Sequence, residues 1–317
     1  MDAPAAISRR LAVLAALGAV AAGAADCRAA RLPERLVVVV TTSDLASLVA
    51  TVGGDRVEIR TLVAPQADPE AYEPRTGDLA TLADAALIVR VGLGYDFWLE
   101  PLMARLRHPD PGQALAPVVD ASTGVPLLEV KGRDPFATDG HAHGKANPHY
   151  WLDPANAETI TANIAAGIVR LAPDAGQAVM RNRSRFLEQL RERMDAWSRQ
   201  LAPYRGAAVL AYHNSWPYFA RRFRLNVIGF LEPKEGVAPS AAHLASLIAQ
   251  AARSDVRAIL QETHEPKRFS QMLSAQTGVP LVLLAPAVGS VPQARDYLSL
   301  MDYNVGVLAR ALGAPRR

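Results

Sequence analysis

From residue 37 onward, short apolar runs alternate with longer amphipathic stretches. Residues 37–41 are an apolar β-branched run, and Ser43 stands where it can cap a following helix. Residues 57–63, 86–91 and, more weakly, 117–119 predict three further strands, with an amphipathic stretch at 96–107 behind the third. These runs are continuous rather than alternating, the pattern of strands covered on both faces in a parallel sheet. Residues 122–148 break the rhythm, mixing Gly, Pro, Asp, His and Lys without a period, and read as a loop.

Two helices are predicted next. One covers 156–170 and stops near Pro173; the other is Gly176–Leu201, with apolar positions at Phe186, Leu187, Leu190, Met194 and Trp197. At a rise of 1.5 Å per residue the second would run about 39 Å, the length of a whole domain and so a rigid strut. Its stretch 181–193 interleaves Arg with Glu188 and Glu192 and reads as a solvated face with i,i+4 pairs. The strand–helix rhythm then returns. Strands are predicted at 207–212, 226–231, 256–261 and 279–284, with helices at 216–224, after Ser240, between the last two strands and at 294–312. The fold class is therefore α/β: two four-stranded lobes joined by a long rigid backbone helix. The expected boundaries are 31–155, 156–203 and 204–317. Ligands of open α/β sheets bind at the carboxyl ends of the strands, so the cleft between the lobes is the expected site.

Residues 1–30 read as an address. Arg9 and Arg10 precede a run of 15 residues, 11–25, built only of Ala, Leu, Val and Gly. A bilayer span needs about 20 residues, so a cleaved secretory signal fits better. Ser8-Arg9-Arg10-Leu11 also resembles a twin-arginine signal. Asp26 before Cys27 argues against a lipid anchor, because a lipobox wants a small residue there. The mature chain is expected to be exported to the periplasm.

Composition narrows the chemistry. Half of the residues are hydrophobic and 21% are charged, which suits a packed globular protein. A net charge of +3, scattered along the chain, gives no nucleic-acid surface. One cysteine excludes a disulfide framework and a multi-cysteine metal cluster. A bound metal must be held by nitrogen and oxygen.

Of the seven histidines, His149 and His213 stand where this architecture wants a ligand. His149 follows the first lobe's last strand and loop, and His213 ends the strand at 207–212. An imidazole there can offer a lone pair to a first-row transition metal. Glu70, after the second strand, could join them. Glu262 ends the strand at 256–261 and could be either a ligand or an acceptor holding an imidazole N–H. His264, two residues on, points the same way if the chain stays extended. His141 and His143 form a short tract that can collect metal weakly or simply be solvated. His108 and His243 look like ordinary surface or helix residues.

The chain resembles the zinc/manganese solute-binding proteins of bacterial ABC transporters. Asp68-Pro69-Glu70-Ala71-Tyr72-Glu73-Pro74 sits where that family has a Pro-His-x-Tyr motif. Gly92-Leu93-Gly94-Tyr95-Asp96-Phe97-Trp98 matches its Gly-Leu-x-x-Glu-x-Trp segment. Pro148-His149-Tyr150-Trp151-Leu152-Asp153-Pro154 is close to its Pro-His-x-Trp-Leu-Asp-Pro, and Tyr212-His213-Asn214 fits its histidine-bearing turn. The resemblance implies a monomeric carrier that docks on an ABC transporter membrane permease, with the ion between the lobes. It carries His149 and His213 over as ligands. Two positions depart from the pattern. Glu70 replaces the usual histidine, and Ala285 stands where the last ligand, an Asp before Pro, is expected. The implied set is Glu70, His149 and His213, with Glu262 preferred over His264 or water as the fourth donor. Two His plus carboxylate suits zinc first, then manganese or ferrous iron. Two other functions fit less of the chain. A binder of a chelated metal or siderophore would not need His149 and His213 in matched places. An exported metal-dependent hydrolase would use an open metal position, but no His-Glu-x-x-His pattern is present.

Overall fold

The computed structural model describes residues 35–106, 115–129, 145–234 and 236–314. The leader at 1–30 with Cys27, and His108, His141 and His143, lie outside them. In chain order the elements are β1 Leu36–Val40, α1 Ser43–Gly53, β2 Val57–Thr61, α2 Thr76–Ala83, β3 Leu87–Arg90, α3 Leu99–Leu106 and β4 Val118–Asp120. The helices α4 Ala157–Leu171 and α5 Gly176–Leu201 follow. The second set is β5 Ala208–Ala211, α6 Pro217–Phe223, β6 Asn226–Phe230, α7 Ala241–Arg253, β7 Ala258–Glu262, α8 Arg268–Thr277, β8 Leu281–Leu284 and α9 Tyr297–Gly313.

Both sheets are parallel, and the order β2-β1-β3-β4 is repeated as β6-β5-β7-β8. Each sheet reverses its direction of strand addition beside its first strand. That switch point opens a crevice at the carboxyl ends of β1 and β3, and again at β5 and β7. The continuous apolar runs have the cause inferred from sequence, cover on two faces. Val38 and Val40 of β1 join a core that also takes in Val209 and Ala211 of β5, together with residues of α1, α4, α5 and α9. Val39, pointing the other way, joins an outer core with Trp98 and Leu99. Leu210 and Ile259 do the same in the second lobe. One core thus runs through both lobes, and each lobe adds its own outer layer.

The helix α5 spans the residues expected of it. Its buried Val179, Phe186, Leu190, Trp197 and Leu201 recur every seven and four positions, one stripe along one side. That stripe packs on α1, α4 and α9. Its arginines do more than face solvent. Arg183 donates to the Glu158 carbonyl and to Thr161 on α4, Arg193 pairs with Asp302 on α9, and Trp197 Nε1 donates to the same carboxylate at 2.8 Å. Further bonds tie first-lobe residues to second-lobe residues. Val288 N–H donates to Asp44 Oδ1 at 3.0 Å, Tyr297 N–H to Ser47 Oγ at 2.9 Å, and the Tyr297 hydroxyl to the Trp151 carbonyl at 2.5 Å. Arg222 of α6 grips Asp153 with two bonds, at 2.6 and 3.0 Å.

Three local departures from the sequence reading have physical reasons. The first helix is capped by Thr42 rather than Ser43, because Thr42 keeps the extended backbone of β1 (φ −129°, ψ 160°). The stretch at 96–107 becomes helical only at Leu99. Asp96 is used instead to accept from Val91 N–H, Gly92 N–H and the Thr41 hydroxyl, tying off the ends of β1 and β3. Helix α2, not expected from the apolar pattern, is started by Asp78, which accepts from Arg75 N–H and the Tyr72 hydroxyl. Among the described residues, no helix is long and apolar enough to cross a membrane.

Candidate metal centre

Strand register lines up the second lobe's contribution. Ala211 of β5 is level with Phe230 of β6 and with Leu260 of β7. Two residues further along stand His213 and Glu232, just past the ends of β5 and β6, and Glu262, the last residue of β7. The ladder persists to that point, since Glu232 N–H donates to the Tyr212 carbonyl at 2.9 Å. His213 Nδ1 lies 2.6 Å from Glu232 Oε2, and Glu232 Oε1 accepts from Gly236 N–H. A carboxylate on Nδ1 fixes the ring and aims Nε2 into the cleft, where it offers a lone pair once its proton has left.

The first lobe supplies its part from two loops. Glu70 follows β2 on a loop pinned in several places. Its own N–H donates to Asp68 Oδ1, Trp98 Nε1 donates to the Pro69 carbonyl at 2.9 Å, and Tyr72 packs against Trp98 with ring planes tilted by 59° and centroids 4.7 Å apart. His149 precedes a short turn of helix at Tyr150–Leu152. Asn147 Oδ1 accepts from His149 N–H and faces Nδ1 at 3.2 Å, while Asn147 Nδ2 donates to the Asn214 carbonyl. One amide thus holds His149 on one side and the backbone beside His213 on the other.

These pieces converge. Glu70 Oε2 stands 3.3 Å from His213 Nε2 and 3.6 Å from His149 Nε2, and all three donor atoms lie within 4.8 Å of one another. A tetrahedral ion with bonds of about 2.0–2.1 Å sets its donors roughly 3.3 Å apart, so two edges of that figure are already in place. All three side chains are less than a tenth exposed. Burial disfavours the imidazolium of His213, but hydrogen bonds to Glu232 and Glu70, and the Glu262 charge, hold its pKa well above the ordinary imidazole value.

Glu262 lines the same cavity, of about 320 Å³, but lies outside that close group of three. It is 1% exposed, and neither carboxylate oxygen completes a hydrogen bond. Burial raises its pKa, while the charges of His213 and His264 and the nearby Ser215 hydroxyl pull the other way. At the position of the missing Asp, Ala285 is buried, with Asn304 bonding both its N–H and its carbonyl. His264 joins Asp68 and Glu265 in a second close group. His243 turns its ring to the Phe230 carbonyl at 2.9 Å, a structural role. The residues that sequence reasoning passed over are Glu232, Asn147, Asp68 and Glu265. Only strand pairing and loop closure bring them in.

The profile of one protein family, "Zinc-uptake complex component A periplasmic" (ZnuA), matches residues 38–311. The chain belongs to this family. Among its relatives, the "Manganese-binding lipoprotein MntA" of Halalkalibacterium halodurans is 25% identical over 94% of this chain and 95% of its own. The "High-affinity zinc uptake system protein ZnuA" of Bacillus subtilis is 24% identical over 92% and 90%. Solved structures agree with the two-lobed fold. One described as the crystal structure of ZnuA superposes with a TM-score of 0.75 at 28% identity, covering 88% of this chain and all of that one. FpvC of Pseudomonas aeruginosa, solved in complex with Mn2+, gives 0.74 at 28%, covering 88% and 98%. As a ZnuA-family member the chain is a metal solute-binding protein, of a family whose members are metal-binding transport proteins.

Proposed function

We propose that the chain captures a divalent transition ion in the inter-lobe cleft through Glu70, His149 and His213, with Glu262 as the fourth donor, and delivers it to an ABC transporter permease. The observation that carries this reading is the convergence of three donor atoms, one carboxylate and two imidazoles, from both lobes at distances a tetrahedral ion would set. Zinc is the first choice of cargo, because divalent affinity rises toward that end of the series. Manganese and ferrous iron come next, since Glu70 in place of histidine makes the set richer in oxygen. The chain works without catalysis, as a monomer, in the periplasm, after removal of residues 1–30.

Capture from both lobes is what a carrier needs. An ion that bonds to Glu70 and His149 on one side and His213 on the other favours one relative placement of the lobes, and a permease can read that placement. The test is a competition among Zn2+, Mn2+ and Fe2+ for the stripped mature protein, followed by elemental analysis. One tightly held ion, lost in His149→Ala and in His213→Ala, is expected. Tight binding that survives both substitutions would overturn the assignment of these residues.

A further inference from the structure

The cavity carries more negative charge than one divalent ion can neutralise. Asp68, Glu70, Glu232, Glu262 and Glu265 all line it, and among the described residues no lysine or arginine does. A single divalent ion offsets two of these five carboxylates, and the remainder must be offset by protons or by a further cation. Burying unpaired charge is costly, so a further cation is the natural complement.

The geometry shows where. Asp68, His264 and Glu265 each offer a donor atom, and all three lie within 4.8 Å of one another. His264 Nε2 stands 3.4 Å from Glu265 Oε1, again close to a coordination edge of roughly 3.3 Å. His264 Nδ1 is buried without a hydrogen-bond partner. Like the first group, this one draws on both lobes: Asp68 from the loop after β2, His264 and Glu265 from the turn after β7. Its residues are half-buried, whereas His149 and His213 are buried. Glu262 adds an independent observation. It is buried, its two oxygens make no hydrogen bond, and it sits level with His213 across the sheet and two residues from His264.

We infer that the cleft holds a second divalent-cation site, formed by Asp68, His264 and Glu265 on its more exposed side, with Glu262 standing between it and the Glu70–His149–His213 group. One nitrogen and two carboxylates make it the more oxygen-rich and the more exposed of the two. It fills at higher free metal and exchanges faster, a position through which an entering ion can shed water in stages. Its three donors are none of the four proposed to hold the cargo, Glu262 only standing beside them, and it can fail or stand separately from that reading.

Mn2+ is the probe. The stripped mature protein is dialysed to saturation and its bound manganese is counted, and crystals exposed to Mn2+ are examined for anomalous scattering. The expected result is two equivalents, the second filling at higher free Mn2+, with one anomalous peak at each group. Asp68→Asn, which keeps the Oδ1 acceptor for Glu70 N–H, combined with His264→Gln and Glu265→Gln should remove the weaker equivalent and keep the tighter. His149→Ala with His213→Ala should do the reverse. A single equivalent, a second peak elsewhere, or two equivalents surviving the triple substitution would each overturn the second site. Loss of one equivalent in the triple variant, with both kept in the double, would leave the second site standing and sink the first. The diffraction reading on the unaltered protein decides the matter even if a variant fails to fold.

Discussion

At the residue scale the centre depends on groups that would touch no metal. Glu232 holds the Nδ1 face of His213, and substitutions at such orienting positions cost about 10–100-fold in metal affinity. Glu232→Gln is therefore expected to weaken Zn2+ binding by about that factor with the fold intact, as read from competition with a chromophoric chelator. The pH dependence has a definite sign. His213 has a raised pKa in the metal-free protein, so an incoming ion must displace a proton. Affinity should rise with pH up to that pKa and then level off. In Glu232→Gln the proton is held less firmly, so the rise should end at lower pH; titrations of both proteins over a pH series check it. His149 and His213 were legible in the sequence because each follows an apolar run or a recognisable motif. Glu232 was not. It lies nineteen positions beyond His213 and becomes its neighbour only through the register of β5 against β6, which the apolar pattern does not encode. The same holds for Asn147, whose bond to the Asn214 carbonyl depends on the lobes' meeting.

Elements bring their own constraints. Gly167 lies on the face of α4 that packs against the first sheet, where a Cβ would come within 2.6 Å of Val119 and 3.4 Å of Leu87. Gly167→Ala should push helix and sheet apart and cost about 1–3 kcal/mol, measured by urea unfolding. Asp44, in the first turn of α1, is a different case. Burial lifts its pKa to about 7, although the N–H groups of Val288 and of Asp44 itself favour the charged form. A carboxyl that holds its proton more tightly folded than unfolded contributes its full stability below the unfolded value. It loses that stability as pH rises through the folded one. Between pH ~4 and ~7 the metal-free protein should lose up to about 4 kcal/mol from this group. Asp44→Asn keeps an acceptor for Val288 N–H and should flatten that slope, a comparison made by denaturant titration at several pH values. The strands were readable as elements because burial on two faces leaves a continuous apolar run. Helix α2 escaped because Asp78, through its bonds to Arg75 and Tyr72, starts it rather than any apolar stripe.

The whole molecule is two copies of one sheet order sharing a single core. The repeat was visible in the sequence as a recurring strand–helix rhythm, and α5 was visible as its longest amphipathic stretch. The shared core was not, because nothing in a local pattern says that the last helix returns to the first lobe. Because Glu70 and His149 belong to one lobe and His213 to the other, bound Zn2+ should act as a cross-link. In about 1,000-fold excess over its Kd it should add about 4 kcal/mol to stability. Melting with and without Zn2+ should show a gain that His213→Ala abolishes. The return of α9 also gives the chain a direction in time. The helix spans 17 residues near the C-terminus, and its first residue bonds to Ser47 and Trp151 of the opening lobe. A chain emerging from its N-terminus therefore carries an uncovered seam on its oldest half until its newest part arrives. Loss of α9 would bare Ser47 and the Trp151 carbonyl of the first lobe and, in the second, release Ala285 from Asn304 and Arg257 from the Leu312 carbonyl.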